Sequence, residues 1–224
     1  MPVQQQRTRI AFVHTVAFLV DIFRQMMDRE LPDIEVVHVL NETLLKDLLR
    51  DGPSPKITER IVRQAILAAD ADVDMVVFTC SSTSPAINLA RQMLAVPIIK
   101  IDDPMAKVAV STGSRIGLLC TASSTVEPSS ALLRERAAEI EKVIDIKVAL
   151  STQAYNVLFS GDRAEHDKII GEEAKKLAAS CDVLVLAQAS LAHLRDQLAD
   201  MTGLPVLASP PLLLEHLKML VRNG

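Results

Sequence analysis

Apolar and polar positions follow two alternating periods along the chain. Short, nearly continuous apolar runs cover Arg9 to Val13, Ile34 to Leu40, Asp74 to Phe78 and Val96 to Ile101. Between them apolar residues return every three or four positions, as Phe18, Ile22 and Met26 do, which is the spacing of a helix with one buried face. This predicts helices over Thr15 to Asp28, Glu42 to Arg50, Thr58 to Ala69 and Ser84 to Ala95, with Asp102, Asp103 and Pro104 opening another that runs to Ser111. The alternation then starts again. Runs over Arg115 to Cys120, Asp145 to Leu150, Val183 to Ala187 and Pro205 to Ala208 predict four more strands. Helices are predicted from Val126 or Pro128 to Ile140, from Arg163 to Ser180 and from Pro210 to Val221, with Ser151 to Phe159 a short helix or a loop. Residues 1 to 8 are expected to be a disordered lead.

Strands that alternate with helices form parallel sheets covered on both faces and joined by right-handed crossovers. The expected fold class is therefore α/β, and the pattern repeats. Asp74 to Ser82 (DMVVFTCSS) aligns without a gap on Asp182 to Ser190 (DVLVLAQAS), an offset of 108 residues, and Ala95 to Ile99 falls on Gly203 to Leu207 at the same offset. Arg9 to Thr15 falls on Arg115 to Thr121 at nearly that offset. Apolar runs match one another easily, so the coincidences of Arg, Asp, Ser, Thr and Pro are what argue for two copies of one half. The expectation is two pseudo-symmetric lobes, each a parallel sheet flanked by helices, with an active-site cleft between them. The N-terminal lobe would span 1–110, joined by the C-terminal helix 210–224, and the other lobe 111–209.

Open parallel sheets bind ligands beyond the carboxyl ends of their strands. That rule selects His14, Thr15, Asn41, Cys80, Ser81, Ser82, Thr83, Cys120, Thr121, Thr125, Ser151, Gln188, Ala189 and Ser190. Cys181 starts its strand, on the opposite edge, and is assigned a structural role. Asn41 has a simpler alternative as the N-cap of the next helix.

Cys80 carries the most pointed chemistry. Its apolar run ends in Thr79, Cys80, Ser81, Ser82 and Thr83, and Ser84-Pro85 opens a helix. The first free amides of that helix and its dipole would favour a thiolate and lower the thiol from its ordinary value of about 8.5. A buried structural cysteine is the competing reading. Any one hydroxyl residue here is explained as a helix cap. The clusters in both halves together favour a carboxylate site, with Ser81, Ser82, Thr83, Thr121 and Thr125 as donors.

Bulk properties narrow the function classes. A chain of 224 residues with 49% hydrophobic content can bury a substantial core. A net charge of -4 with both signs scattered gives no basic face for nucleic acid and no polybasic membrane patch. The polar start MPVQQQRTRI lacks a secretory pattern, and no uncharged run of about 18 residues could span a bilayer, so a cytoplasmic protein is expected. Three cysteines at spacings of 40 and 61 suit neither a disulfide framework nor a CxxC zinc site. Motifs for nucleotide phosphates, zinc and calcium are absent, so no cofactor or metal is expected. His166 and His193 sit on helical patterns and are assigned to surface or packing.

The run Thr79 to Thr83 and the stretch Arg115 to Val126 (RIGLLCTASSTV) together resemble the cofactor-independent aspartate/glutamate racemase superfamily, with its maleate isomerase, hydantoin racemase and arylmalonate decarboxylase relatives. The resemblance covers essentially the whole chain. It implies two pseudo-symmetric α/β halves with a catalytic cysteine ending a strand in each, and a Thr-rich turn that grips a carboxylate. Cys80 falls on the first of those cysteines. Where the second usually stands the chain has Ala187, Gln188 and Ala189, and glutamine cannot exchange a proton near neutral pH. The resemblance thus implies an isomerase acting on a small carboxylic or dicarboxylic acid through one cysteine, with His14 or Cys120 as alternative proton donors and a homo-oligomer as the assembly. An arylmalonate-decarboxylase-like lyase and a non-catalytic carboxylate-binding or regulatory protein are the alternatives.

Overall fold

The computed structural model describes residues 7–223, so the expected disorder of residues 1 to 6 lies outside the described residues. Two compact units make up the chain, one from residues 1–100 with 214–224, the other from 101–213.

The first unit holds β1 (Arg9–His14), α1 (Phe18–Glu30), β2 (Glu35–Leu40), α2 (Glu42–Asp51), α3 (Pro55–Ala69), β3 (Met75–Phe78), α4 (Ser84–Met93) and β4 (Ile98–Lys100). Its strands are all parallel, in the order β2-β1-β3-β4. The inner strands β1 and β3 are buried on both faces, which explains their unbroken apolar runs. Ala11, Val13, Val76 and Phe78 pack on one face against Leu44, Ile61, Ala65 and Ile87. On the other face the Phe12 ring meets Phe23 of α1 at 5.3 Å. Burying each such side chain contributes about 1.5–3 kcal/mol. Ser54 begins α3, its hydroxyl accepting from the Ile57 amide at 3.3 Å with Pro55 in the first turn.

The second unit repeats the plan with α5 (Asp103–Thr112), β5 (Arg115–Cys120), α6 (Ser123–Ala138), β6 (Asp145–Leu150), α7 (Thr152–Phe159), α8 (Arg163–Ala178), β7 (Val183–Leu186), α9 (Arg195–Thr202) and β8 (Val206–Ala208). A last helix, α10 (Ser209–Asn223), starts here, and its later residues belong to the first unit, where Lys218 pairs with Glu30 of α1 at 2.9 Å. Strand order is β6-β5-β7-β8, again all parallel. Leu119, Leu184 and Leu186 pack with Ile170, Ala174 and Leu198 of α8 and α9 on one face. Ile116, Leu118 and Cys120 pack with Met105, Ala109 and Leu133 of α5 and α6 on the other.

The polar coincidences of the repeat have a structural job at the amino edge of each sheet. Asp74 accepts from the Arg9 amide at 2.7 Å, and Asp182 accepts from the Arg115 amide at 2.8 Å and from its side-chain Nε at 2.9 Å. Asp182 also takes the Ser114 amide at 3.1 Å. Gly113 permits that approach, because a Cβ there would sit 2.6 Å from the Asp182 Cβ.

Some bounds differ from expectation. The unit boundary falls before α5, which packs in the second unit, rather than at residue 110. Helix α6 begins at Ser123, and Pro128 lies inside it rather than at its start, where its ring nitrogen cannot donate a helical hydrogen bond. Two 3₁₀ turns, Ser81–Thr83 and Ala189–Leu194, follow β3 and β7, and α9 fills an interval to which the pattern assigned no bounded element.

Candidate functional site

Each unit brings two strand ends side by side at its carboxyl edge, in the same register. Val13 pairs with Phe78 and Leu119 with Leu186. Two residues further on, Thr15 stands beside Cys80 in the first unit and Thr121 beside Gln188 in the second.

Cys80 is half-buried with extended backbone and leads into the first 3₁₀ turn. The Ser82 hydroxyl, the amides of Ser82 and Thr83 and the nearby Thr15 hydroxyl each pull the thiol pKa down, although the buried Thr15 oxygen makes no hydrogen bond of good geometry among the described residues. Burial outweighs them and pushes the thiol up. This corrects the expected lowering. The α-helix starts only at Ser84, so the donors are the tight amides of the 3₁₀ turn, and the cost of desolvating a thiolate dominates the resting state. Ser81, Ser82 and Thr83 are buried. The Thr83 hydroxyl donates to the Cys80 carbonyl at 2.7 Å, which ties it to the turn itself.

His14 does not reach this mouth. It is the last residue of β1, and the strand's alternation sends its ring into the layer under α1, stacked near Phe12 and Phe23 and fully buried. The Thr79 hydroxyl donates to the Val13 carbonyl at 3.1 Å and so accepts from His14 Nδ1 at 2.9 Å. His14 Nε2 then accepts from His38 Nδ1 at 3.0 Å. Burial first, then His38 and Arg24, lower the His14 pKa to about 3, so the ring is neutral. Asn41 stands at the N-cap of α2 without a side-chain capping bond. Its amide donates to Gln64 at 3.0 Å and its carbonyl accepts from Thr43 at 2.7 Å.

In the second unit three donors converge on the side-chain carbonyl of Gln188. These are the Thr121 amide at 2.5 Å, the Thr121 hydroxyl at 2.9 Å and the Ala122 amide at 3.2 Å. Three donors can be served only by the oxygen end, so the side-chain orientation is set and its NH2 group points away from them. Cys120 repeats the behaviour of His14: it is buried under α5 and α6, and burial, with Asp102 adding to it, pushes its thiol up to about 12. Thr125 is buried in the first turn of α6. Ala189 and Ser190 are half-buried on the second 3₁₀ turn, and Ser151 caps α7 by accepting from the Ala154 amide at 3.2 Å. Cys181 is buried at the start of its strand.

Two clusters escaped the sequence. Asp102 and Ser129 line a cavity of about 10 Å³ under α5 and α6, room for about one water. His166, Asp167 and His193 meet at the carboxyl edge, where they could hold a metal ion. Their separations match no ligand motif, and only the packing of α8 on the second 3₁₀ turn unites them. No helix among the described residues is long and apolar enough to cross a membrane.

Two parallel α/β units of one strand order, each ending two inner strands at a hydroxyl-rich edge, define a protein of duplicated design. The model of the Asp/Glu/hydantoin racemase family matches residues 13–217, and the chain belongs to that family. A protein of Schizosaccharomyces pombe of uncharacterised function is 28% identical over 175 residues, covering 75% of this chain and 72% of its own. The fold is similar to that of glutamate racemase from Francisella tularensis, with TM-score 0.73 at 14% identity, covering 97% of this chain and 82% of that one. Allantoin racemase from Klebsiella pneumoniae gives TM-score 0.69 at 16% identity, with 97% and 89% covered.

Proposed function

We propose that the chain is a cofactor-independent isomerase of the racemase type, acting on a small carboxylic or dicarboxylic acid through one cysteine, Cys80. The observation that supports this reading is the set of groups that favour charge on the Cys80 sulfur, namely the Ser82 hydroxyl and the Ser82 and Thr83 amides, with the buried and otherwise unpartnered Thr15 hydroxyl beside them. Such donors act far more strongly on a thiolate than on the resting thiol, so they favour a cycle that passes through the charged sulfur. In the isomerase cycle the Cys80 thiol first gives its proton to solvent, the thiolate takes the proton from the carbon beside the carboxylate, and the C–H electron pair passes into an enediolate. While the enediolate turns, the S–H hydrogen exchanges with solvent, and the S–H then delivers a proton to the opposite face. Gln188 has no proton to exchange near neutral pH, so no second side chain of that strand end shares this work.

The neutral resting thiol favours a second reading, that of a lyase. Loss of CO2 from a geminal dicarboxylate leaves the enediolate without any base, and the Cys80 S–H then protonates one face, the thiolate recovering its proton from solvent. Nuclear magnetic resonance in D2O across a panel of small 2-substituted acids, dicarboxylates and substituted malonates separates the two. Deuterium at the carbon next to the carboxylate without CO2 release supports the isomerase, and CO2 release supports the lyase. An acid that raises the melting temperature yet undergoes neither reaction makes the protein a carboxylate-binding one. Turnover that Cys80→Ala leaves intact removes the cysteine from either mechanism.

A further inference from the structure

We propose that the second unit binds one divalent transition-metal ion through His166, Asp167 and His193. Helix α8 leads into β7 and runs antiparallel to it, so its first turns, which carry His166 and Asp167, lie at the carboxyl edge of the sheet. His193 stands on the 3₁₀ turn that leaves that same edge after Gln188. A single oxygen, Asp167 Oδ1, is the meeting point, 2.7 Å from His166 Nδ1 and 2.9 Å from His193 Nε2. The three ligand atoms all lie within 4.8 Å of one another. An ion with bonds of about 2.0–2.2 Å to each is accommodated by shifts of about an ångström or less per side chain.

Hydrogen bonding around the cluster favours an ion at this point. His193 Nδ1 lies 3.0 Å from the Ser190 carbonyl, which only accepts, so that nitrogen carries hydrogen. This is the outer contact that orients a metal-binding imidazole. His193 Nε2 faces the Asp167 carboxylate oxygen at 2.9 Å, a contact that needs a hydrogen or a cation between the two atoms. His166 is fully buried, and its Nε2 has no hydrogen-bond partner among the described residues.

Access and selectivity follow from the same groups. His166 is held rigidly in the core, while the side chains of Asp167 and His193 are 25% and 31% exposed, so an ion can arrive from solvent. Two imidazoles and a carboxylate select zinc, cobalt or nickel over magnesium and calcium. Three protein ligands would leave the fourth position of a tetrahedral ion to water.

The test is titration of the chelator-stripped full chain with Co²⁺, followed by its visible spectrum, and with Zn²⁺ by calorimetry. One equivalent is expected to bind, raising the melting temperature, with affinity at least about tenfold weaker in Asp167→Asn and in His193→Ala and unchanged in Cys80→Ser. Circular dichroism confirms that the variants fold. Three results would each overturn the site: no stoichiometric uptake by the wild type, uptake that both cluster variants retain, or uptake that Cys80→Ser abolishes, which would place the ion on a thiol.

Discussion

The two units solve one geometric problem with different side chains. In the first, Thr15 stands beside a thiol whose surrounding donors are of most use once the sulfur is charged. In the second, Thr121 stands at the same register beside Gln188, whose carbonyl already takes two amides and a hydroxyl. On the proposed function the first edge serves a charge that comes and goes, whereas the second holds a neutral side chain in one orientation. A duplicated scaffold can thus keep its fold while the position of Cys80 in one unit is taken by an amide, Gln188, in the other. The residues one step back make the complementary point. His14 and Cys120 occupy equivalent last positions of β1 and β5, both are buried, and burial drives their pKa values in opposite directions to one result, a neutral group.

The largest effect expected is on turnover. Cys80→Ala should lower it by at least about a thousandfold, the scale lost with an essential nucleophile or acid, whereas Gln188→Ala should cost far less, because an amide donor and not a proton-transfer group is removed. Steady-state kinetics on the identified acid decide this, and equal losses would erase the distinction between the units. Gln188→Cys sharpens the comparison by placing a thiol among the Thr121 and Ala122 donors. Mass-spectrometric mapping should show it alkylated by iodoacetamide at least about tenfold faster than the buried Cys120.

Two pH dependences come next. Cys120 keeps its proton when folded up to about 12, while an unfolded thiol loses it near 8.5. Stability therefore falls as pH rises above about 8.5, by up to about 1.4 kcal/mol per pH unit from this group, and Cys120→Ala should flatten that alkaline slope in urea titrations. His14 gives the mirror image. Its folded pKa of about 3 lies below the unfolded value near 6.5, so its contribution is present above about 6.5 and is lost as pH falls towards 3. His14→Phe should flatten the acid slope over that window. The smallest effect is at the amino edge, where the Arg115 side chain and the Arg115 and Ser114 amides hold the Asp182 carboxyl well below the usual range. Its stabilisation is present above about pH 4 and fades as pH falls below that, and Asp182→Asn should weaken this dependence slightly, since the pair is exposed.

Much of the scaffold could be read from residues alone. The Arg and Asp coincidences betrayed the duplication because they perform the same backbone-holding task in both units, and β5 and β6 have the bounds their apolar runs predict. Which side chains turn towards the edge was harder. His14 and Cys120 sit at strand ends, where spacing suggests a mouth, yet the pleat sends them into the helix layers. The dipole argument for Cys80 was visible in Ser84-Pro85, while the burial that overrides it depends on packing from elements distant in sequence. Gln188 stood out as a substitution, but nothing in its neighbours announced that Thr121 and Ala122 would saturate its carbonyl. The meeting of His166, Asp167 and His193 depends on the fold alone.

The central claim is that one sulfur, that of Cys80, carries the proton transfer. The most direct measurement is the incorporation of solvent deuterium beside the carboxylate of the identified acid, compared in wild type, Cys80→Ser and Gln188→Ala. The account predicts incorporation in the wild type and in Gln188→Ala and none in Cys80→Ser; incorporation at an undiminished rate in Cys80→Ser would contradict it.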